Sequence, residues 1–253
     1  MTHPAARSPG TVPREDVSAD DVAPEVRREL RSLGEDRAER VALHLASAQA
    51  ELLAGNDGAA VSQVDAAMAL AARLGVVREA AGLVHYQAAD FARALRELRA
   101  ARRLGAGPDL WPVIVDCERA LGRAEHAIEL AREAADDDLD RATAVELAIV
   151  VAGIRRDRAE FDAGLRSLEL PELRSNAVAW VRLRYSYADL LEAAGRRDDA
   201  EAWFSRVARA DTEGETDAAD RVLALQGIVV AQSDDAQSDD AQSGEPAGDD
   251  EIG

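Results

Sequence analysis

AGNDGAAVSQVDAAM at 54–68, QAADFARALRELRAA at 87–101, ALGRAEHAIELAREA at 120–134 and AAGRRDDAEAWFSRV at 193–207 are four copies of one pattern. Aligned, they put Ala60, Ala94, Ala127 and Ala200 at one equivalent site, and Ala67, Ala101, Ala134 and Val207 seven residues further on. Five residues before the alanine stand Gly55, Ala89, Gly122 and Gly195. A turn between two helices favours a residue there that tolerates positive φ. A further copy, GIRRDRAEFDAGLRSL at 153–168, fits with Ala159 in the alanine site and Ile154 in place of the glycine. The intervals from Ala60 are then 34, 33, 32 and 41 residues, close to the roughly 34-residue period of a helix-turn-helix array apart from one insertion. Small residues suit such a site because crossing helices approach closely only where side chains are short. Each helix pair alone leaves an apolar face bare, and stacking the pairs buries it.

Outward from these copies, apolar residues recur at helical spacing from Glu25 to Ala231, with no alternating strand pattern. Turn formers interrupt them at short intervals: Gly55 to Gly58, Gly75, Gly105 to Pro108, Gly122, Pro171 and Gly195. The spacing predicts an all-α protein, an α-solenoid of about five helix pairs over residues 25–231, closed by a terminal capping helix. Residues 1–24, with Pro4, Pro9, Pro13 and Pro24 among small and charged residues, read as a disordered arm. Residues 232–253 repeat SDDAQ and add further acid, which reads as a disordered acidic tail.

Composition agrees and excludes several functions. Alanine is about a fifth of the chain, and aromatics only 4%, so the core gains its burial through close helix contacts. All 30 basic residues are Arg, which removes lysine chemistry, and 49 acidic residues leave a net charge of −19. Such a chain repels phosphate backbones and anionic lipid, so neither nucleic acid nor a membrane is expected as partner. The single Cys117 permits no internal disulfide. No run approaches the ~20 apolar residues of a membrane span, and the first residues lack the apolar region of a signal peptide. The expected location is cytoplasmic.

The repeat positions resemble the tetratricopeptide repeat (TPR). Trp111, Gly122, Ala127 and Ala134 carry the pattern in one copy, and Gly82, Phe91, Ala94, Leu98 and Ala101 in another. The resemblance covers roughly residues 41–210 and implies a right-handed superhelical array. Residues 77–131 further resemble a group of uncharacterised actinobacterial proteins of this repeat class, a likeness that brings no activity with it. Where the family usually has a Tyr late in the first helix, this chain has Glu51, His85, Glu118, Val150 and Leu191. First helices of such arrays line a concave groove that holds peptides or partner helices. The groove positions, carried over, are Glu79, Tyr86, Gln87, Asp109, Asp116, Arg119, Arg182, Tyr185, Asp189 and Glu192. They lack the Lys and Asn with which members of the family clamp a C-terminal carboxylate. Ordinary solvated helix residues would have the same composition, so both readings stay open.

No constellation for chemistry emerges. His3, His44, His85 and His126 fall on separate elements without ligand spacing, and Cys117 lacks a marked base, orienting group or oxyanion pocket, so it reads as a buried structural thiol. Gly105-Ala106-Gly107 has no strand or Lys beside it and is a turn, not a phosphate loop. Asp136, Asp137 and Asp138 read as a cap for a helix beginning near Leu139. No metal, cofactor or catalytic site is therefore expected.

Two charge features remain. Arg102, at the margin of the helix around Leu98, is expected to pair with Glu118 across the repeat junction, since an unpaired buried charge is costly. Projection at 100° per residue puts Arg93, Arg96, Arg99 and Arg103 opposite Leu98 as a basic stripe. The stripe is either a solvated face paired locally with residues such as Glu97, or a receiver for an acidic segment of a partner or of the tail. The chain thus reads as a non-enzymatic interaction module or scaffold for a protein or peptide partner. The alternative is a regulatory or sensor domain acting on a transcription factor or signalling protein.

Overall fold

A computed structural model describes residues 11–228. Among them are twelve α-helices and no strand. Ten form five antiparallel pairs: α2 (Glu35–Leu53) with α3 (Asp57–Ala71), α4 (Gly75–Gln87) with α5 (Phe91–Arg103), α6 (Trp111–Ala120) with α7 (Ala124–Ala134), α8 (Arg141–Asp157) with α9 (Phe161–Leu168), and α10 (Val181–Ala193) with α11 (Arg197–Ala210). α1 (Pro24–Leu30) precedes them, and α12 (Ala218–Leu225) packs on α11 as a cap. Each second helix packs on its own first helix and on the next one, and successive first helices also touch. The fold is an all-α solenoid.

One turn, used five times, sets the geometry within the pairs. The N–H groups of Asn56, Asp90, Arg123, Glu160 and Arg196 donate to the carbonyls five residues back, on Glu51, His85, Glu118, Arg155 and Leu191, at 2.8–2.9 Å. The residue just before each donor is left-handed: Gly55 (φ 74°), Ala89 (57°), Gly122 (76°), Ala159 (57°) and Gly195 (77°). This is a helix C-terminal closure that satisfies carbonyls the helix leaves bare. The next helix then starts at once, its first N–H donated by Ala60, Ala94, Ala127, Gly164 or Ala200 to the carbonyl four residues earlier.

That register corrects the fifth copy. Ala159 is the turn residue, not the helix-crossing residue, and the crossing site falls on Gly164. Ala60, Ala94, Ala127 and Ala200 are fully buried, as expected of crossing sites. Gly164 is buried likewise, and a Cβ there would stand 3.0 Å from Leu190 Cδ2. The successive crossing sites 60, 94, 127, 164 and 200 are 34, 33, 37 and 36 residues apart, so no single large insertion is needed. In the first helices, the equivalent residues twelve before each crossing site are Ala48, Gly82, Val115, Ala152 and Ala188, small in every pair but the third. The polar series late in the first helices becomes Glu51, His85, Glu118 and Arg155, with Leu191 last. Arg155 replaces Val150.

The ends differ from the sequence expectation on one side. Residues 11–24, read there as part of a disordered arm, lie along the first helix pair. Gln63 Nε2 donates to the Val12 carbonyl at 2.9 Å, and the Arg14 N–H donates to Ser47 Oγ at 2.9 Å. Val22 is buried, and Val17 and Ala19 pack beside it on the cluster built from Leu30, Val41 and Leu45. These apolar residues cover part of the apolar face of the first pair. The proline-rich composition misled because Val17 and Val22, not helix content, decide the burial. Residues 1–10 and the acidic tail at 232–253 lie outside the described residues.

Candidate functional site in the concave cleft

Because successive first helices touch, the side chains they turn inward meet. α4, α6, α8 and α10 surround a cleft of about 320 Å³ with Ile149, Val150, Ala152 and Gly153 on one wall. Six of the ten groove residues expected from sequence line it: Tyr86, Asp116, Arg119, Arg182, Tyr185 and Asp189.

Their polar groups form a chain that crosses every junction from α4 to α12. Tyr86 Oη donates to Asp116 Oδ2 at 2.5 Å, and Arg119 Nε donates to Asp116 Oδ1 at 2.7 Å. Arg119 Nη1 reaches Asp157 on α8 at 2.9 Å. Arg156 Nε sits 2.8 Å from Asp189 Oδ2 on α10, and Arg221 of α12 bonds Asp189 at 3.2 Å and Glu192 at 2.6 Å. Tyr185 Oη donates to Asp217 at 2.6 Å, while Arg182 holds Glu146 at 3.2 Å. Donors and acceptors thus alternate along the wall, and Arg156, Asp157 and Arg182 keep much of their surface open to solvent.

The electrostatics follow from this packing. Burial raises the Tyr86 pKa, and the Asp116 carboxylate adds to it. Tyr185 is pushed up to about 12, first by burial and then by its bond to Asp217. Both phenols therefore stay protonated as donors at neutral pH. Burial works against the Arg119 charge, but its bonds to Asp116 and Asp157 outweigh that and raise its pKa. The cleft thus presents protonated phenols and charged guanidiniums, each held by a carboxylate.

The other four expected groove residues lie elsewhere. Glu192 is held by Arg221 at the α12 side. Gln87 and Asp109 are exposed. Glu79 lines a separate, mainly apolar cleft of about 290 Å³ with Val22, Val26, Leu45, Leu52 and Leu83. Its pKa is raised by burial, with Asp109 and Glu29 contributing. Arg156 and Asp157 are cleft residues that the sequence reading did not single out. The misplaced fifth copy hid them, because with Ala159 in the turn both fall on the last turn of α8.

The four arginines of the stripe lie on α5 and are mostly engaged. Arg93 is 3.5 Å from Asp65 and from Asp90, Arg96 is 2.8 Å from Glu97, and Arg99 is 2.6 Å from Glu118. Arg103 is exposed and has no ion pair among the described residues. The partner of the buried Glu118 is thus Arg99, with Arg123 at 3.1 Å, and not Arg102. Arg102 instead bonds Asp137 at 2.8 Å and lies 4.8 Å over the Trp111 ring, whose Nε1–H also donates to Asp137. Asp137 is therefore a tie between pairs, and the cap of α8 is Asp140, which accepts from the Thr143 N–H at 2.7 Å.

Cys117 is fully buried, and its thiol is pushed up to about 12, by burial first and then by Asp116 and Glu118. His44 bonds Gln63, His85 lies 3.7 Å from Asp65, and His126 is half-exposed beside Glu118 and Glu129. Among the described residues no group of His, Cys, Asp and Glu is arranged to hold a metal, and no helix is long and apolar enough to cross a membrane.

No protein-family model matches the chain, and no curated protein matches it in sequence. Among solved structures it is similar to YrrB, described as a TPR protein with an unusual peptide-binding site: 14% identity, TM-score 0.45, covering 74% of this chain and 91% of that one. It is also similar to a chain of Naa15/Naa10 bound to HypK-THB, at 13% identity and TM-score 0.35, covering 84% of this chain but only 38% of the other.

Proposed function

We propose that the chain is a non-enzymatic binding scaffold whose concave cleft receives an extended peptide segment of a protein partner. The observation that carries this is the convergence of four first helices on one cleft with alternating carboxylate, guanidinium and phenol groups above an apolar wall. A peptide main chain offers an N–H and a C=O at each residue, so an alternating wall can bond it without reading a fixed charge. Ile149 and Val150 then give an apolar side chain a place to pack. The cleft is favoured over the α5 stripe because it sets groups of both charges beside an apolar wall in a concavity, whereas the stripe arginines stand on an open helix face. The net charge of −19 argues against nucleic acid or a membrane surface as the main partner. The setting proposed with this reading is the cytoplasm of an actinobacterium, the source resting on the likeness of residues 77–131.

The test is site-specific photo-crosslinking in the host. A photoreactive residue at Ser186, which lines the cleft, should trap a defined protein band, and one at the exposed Arg132 of α7 should not. Adding Arg182→Glu should weaken the Ser186 product. Equal trapping from both positions would refute the cleft as the binding surface.

A further inference from the structure

A second cleft lies on the far side of α10. Tyr185 and Asp189 face the concave cleft, and Tyr187, two residues on from Tyr185, points about 200° around the helix. There it meets Trp203 of α11, edge to face with centroids 5.0 Å apart. These two rings, Arg206 and the 169–174 segment after α9 enclose about 810 Å³.

Two guanidiniums line this cleft, and a third is buried near Arg206. Arg174 and Arg206 line it, and the Arg206 guanidinium stacks 4.4 Å over the Trp203 ring and donates to Asn176 Oδ1 at 3.2 Å. Arg184, 1% exposed, donates to the carbonyls of Ser175 and, at 3.1 Å, Ala177, just beyond the 169–174 segment. Its Nε has no hydrogen-bond partner. Arg184 occupies the repeat position held by Arg78 in the second pair, but Arg78 is paired with Glu97 and Arg184 has no such partner among the described residues. None of the three arginines has an ion pair among the described residues, whereas the arginines of the concave cleft all do. Glu169 is the single carboxylate on the cleft wall. A buried cation without a counter-ion is costly, and a local excess of positive charge is unexpected on a chain of net charge −19.

We propose that this cleft is a second binding site, which takes an acidic peptide segment with an apolar or aromatic anchor. Carboxylates of the segment bond Arg174 and Arg206 in the forked geometry that guanidinium offers. The anchor packs on Tyr187, Trp203 and the apolar wall of Leu170, Pro171 and Leu173. The cavity is much larger than one carboxylate or phosphate needs, and its apolar wall has no use for a bare ion. The acidic character of the whole chain disfavours a nucleic-acid occupant. Because the cleft is separate from the concave one, the scaffold can hold two segments at once.

The test is selection of a displayed pool of random short peptides on the full chain, on Arg174→Glu/Arg206→Glu and on Arg182→Glu. The proposal expects clones rich in Asp and Glu with Leu, Phe or Tyr, which bind the double variant at least about tenfold more weakly and bind Arg182→Glu as they bind the parent. The same peptides should shift the indole N–H signal of Trp203, assigned through Trp203→Phe, on the unaltered chain. That readout stands even if the double variant misfolds. Peptides that move Tyr86 and Tyr185 signals and leave Trp203 in place would overturn the second site while supporting the concave one. A pool that yields no acidic clones would overturn it as well.

Discussion

Ala89 and Ala159 sit in a backbone conformation that the equivalent Gly55, Gly122 and Gly195 adopt without strain, and the difference can be measured. An L-residue in the left-handed region costs ~1–2 kcal/mol. Replacing it with glycine recovers that, less the ~0.4–1 kcal/mol by which glycine's freedom favours the unfolded chain. Ala89→Gly and Ala159→Gly should therefore each stabilise the protein by about 0.5–1 kcal/mol. The two turns are far apart, so the double variant should gain the sum. Gly122→Ala should lose a similar amount, and through conformation alone, since a Cβ there meets nothing within 4 Å. Urea unfolding gives the overall shift as a change in midpoint at constant slope. Repeat arrays can also open in segments, so exchange of the Asp90 and Glu160 amide protons, which close these two turns, gives the local value. The sign decides the outcome. Were Ala159 a residue inside a second helix, glycine would cost ~1 kcal/mol. A destabilising Ala159→Gly would therefore refute the register with Gly164 at the crossing.

Gly82→Ala should cost ~1–3 kcal/mol by overpacking, because a Cβ would stand 2.6 Å from Cγ of the fully buried Leu98; a neutral result in thermal unfolding would mean the α4–α5 crossing is looser than described. Glu118→Gln should cost about 1–2 kcal/mol, the low end for a bond to a charged group, because Arg99 and Arg123 are partly exposed and can rehydrate. In a double-mutant cycle Glu118 should couple to Arg99 and not to Arg102, and the reverse pattern would restore the pairing expected from sequence. His85 is held neutral, since burial lowers its pKa more than Asp65 and Asp90 raise it. The unfolded chain thus binds its proton first as pH falls. The contribution is complete above the ordinary value of 6.5 and is lost below it, with a slope of up to ~1.4 kcal/mol per pH unit. His85→Gln should flatten stability against pH between 6.5 and the carboxylate range; an unchanged profile would assign the acid sensitivity elsewhere.

The alanines at 60, 94, 127 and 200 were legible because a crossing site excludes everything larger, and the glycines at 55, 122 and 195 because a left-handed turn excludes nearly everything else. In the fourth pair the two residue types exchange places. Ala159 tolerates the turn and Gly164 takes the crossing, so a pattern that reads alanine as crossing and glycine as turn slips by five residues. That slip concealed Arg156 and Asp157, and with them half of the ladder around the concave cleft. The Arg102 pairing failed for a related reason. Arg99 and Arg102 are one turn apart on the same side of α5, and a projection of one helix does not say where the neighbouring helix places Glu118. Six of ten groove positions converge because they lie on the inward faces of first helices at the level where α4, α6, α8 and α10 meet. Glu79 and Glu192 share those faces but lie further from that level along their helices, Glu79 beside Leu45 and Leu52 of α2 and Glu192 against Arg221 of α12.

The turn shared by all five pairs also bears on how the chain comes to be folded. Each closure is made by an amide and a carbonyl five residues apart, and each pair meets its neighbour across no more than one repeat. Ordering therefore needs no distant segment to arrive first, and an emerging polypeptide can set one hairpin of helices upon the last as synthesis proceeds. For the first hairpin, the Val12 to Val22 strap is a partner already made when its own helices appear.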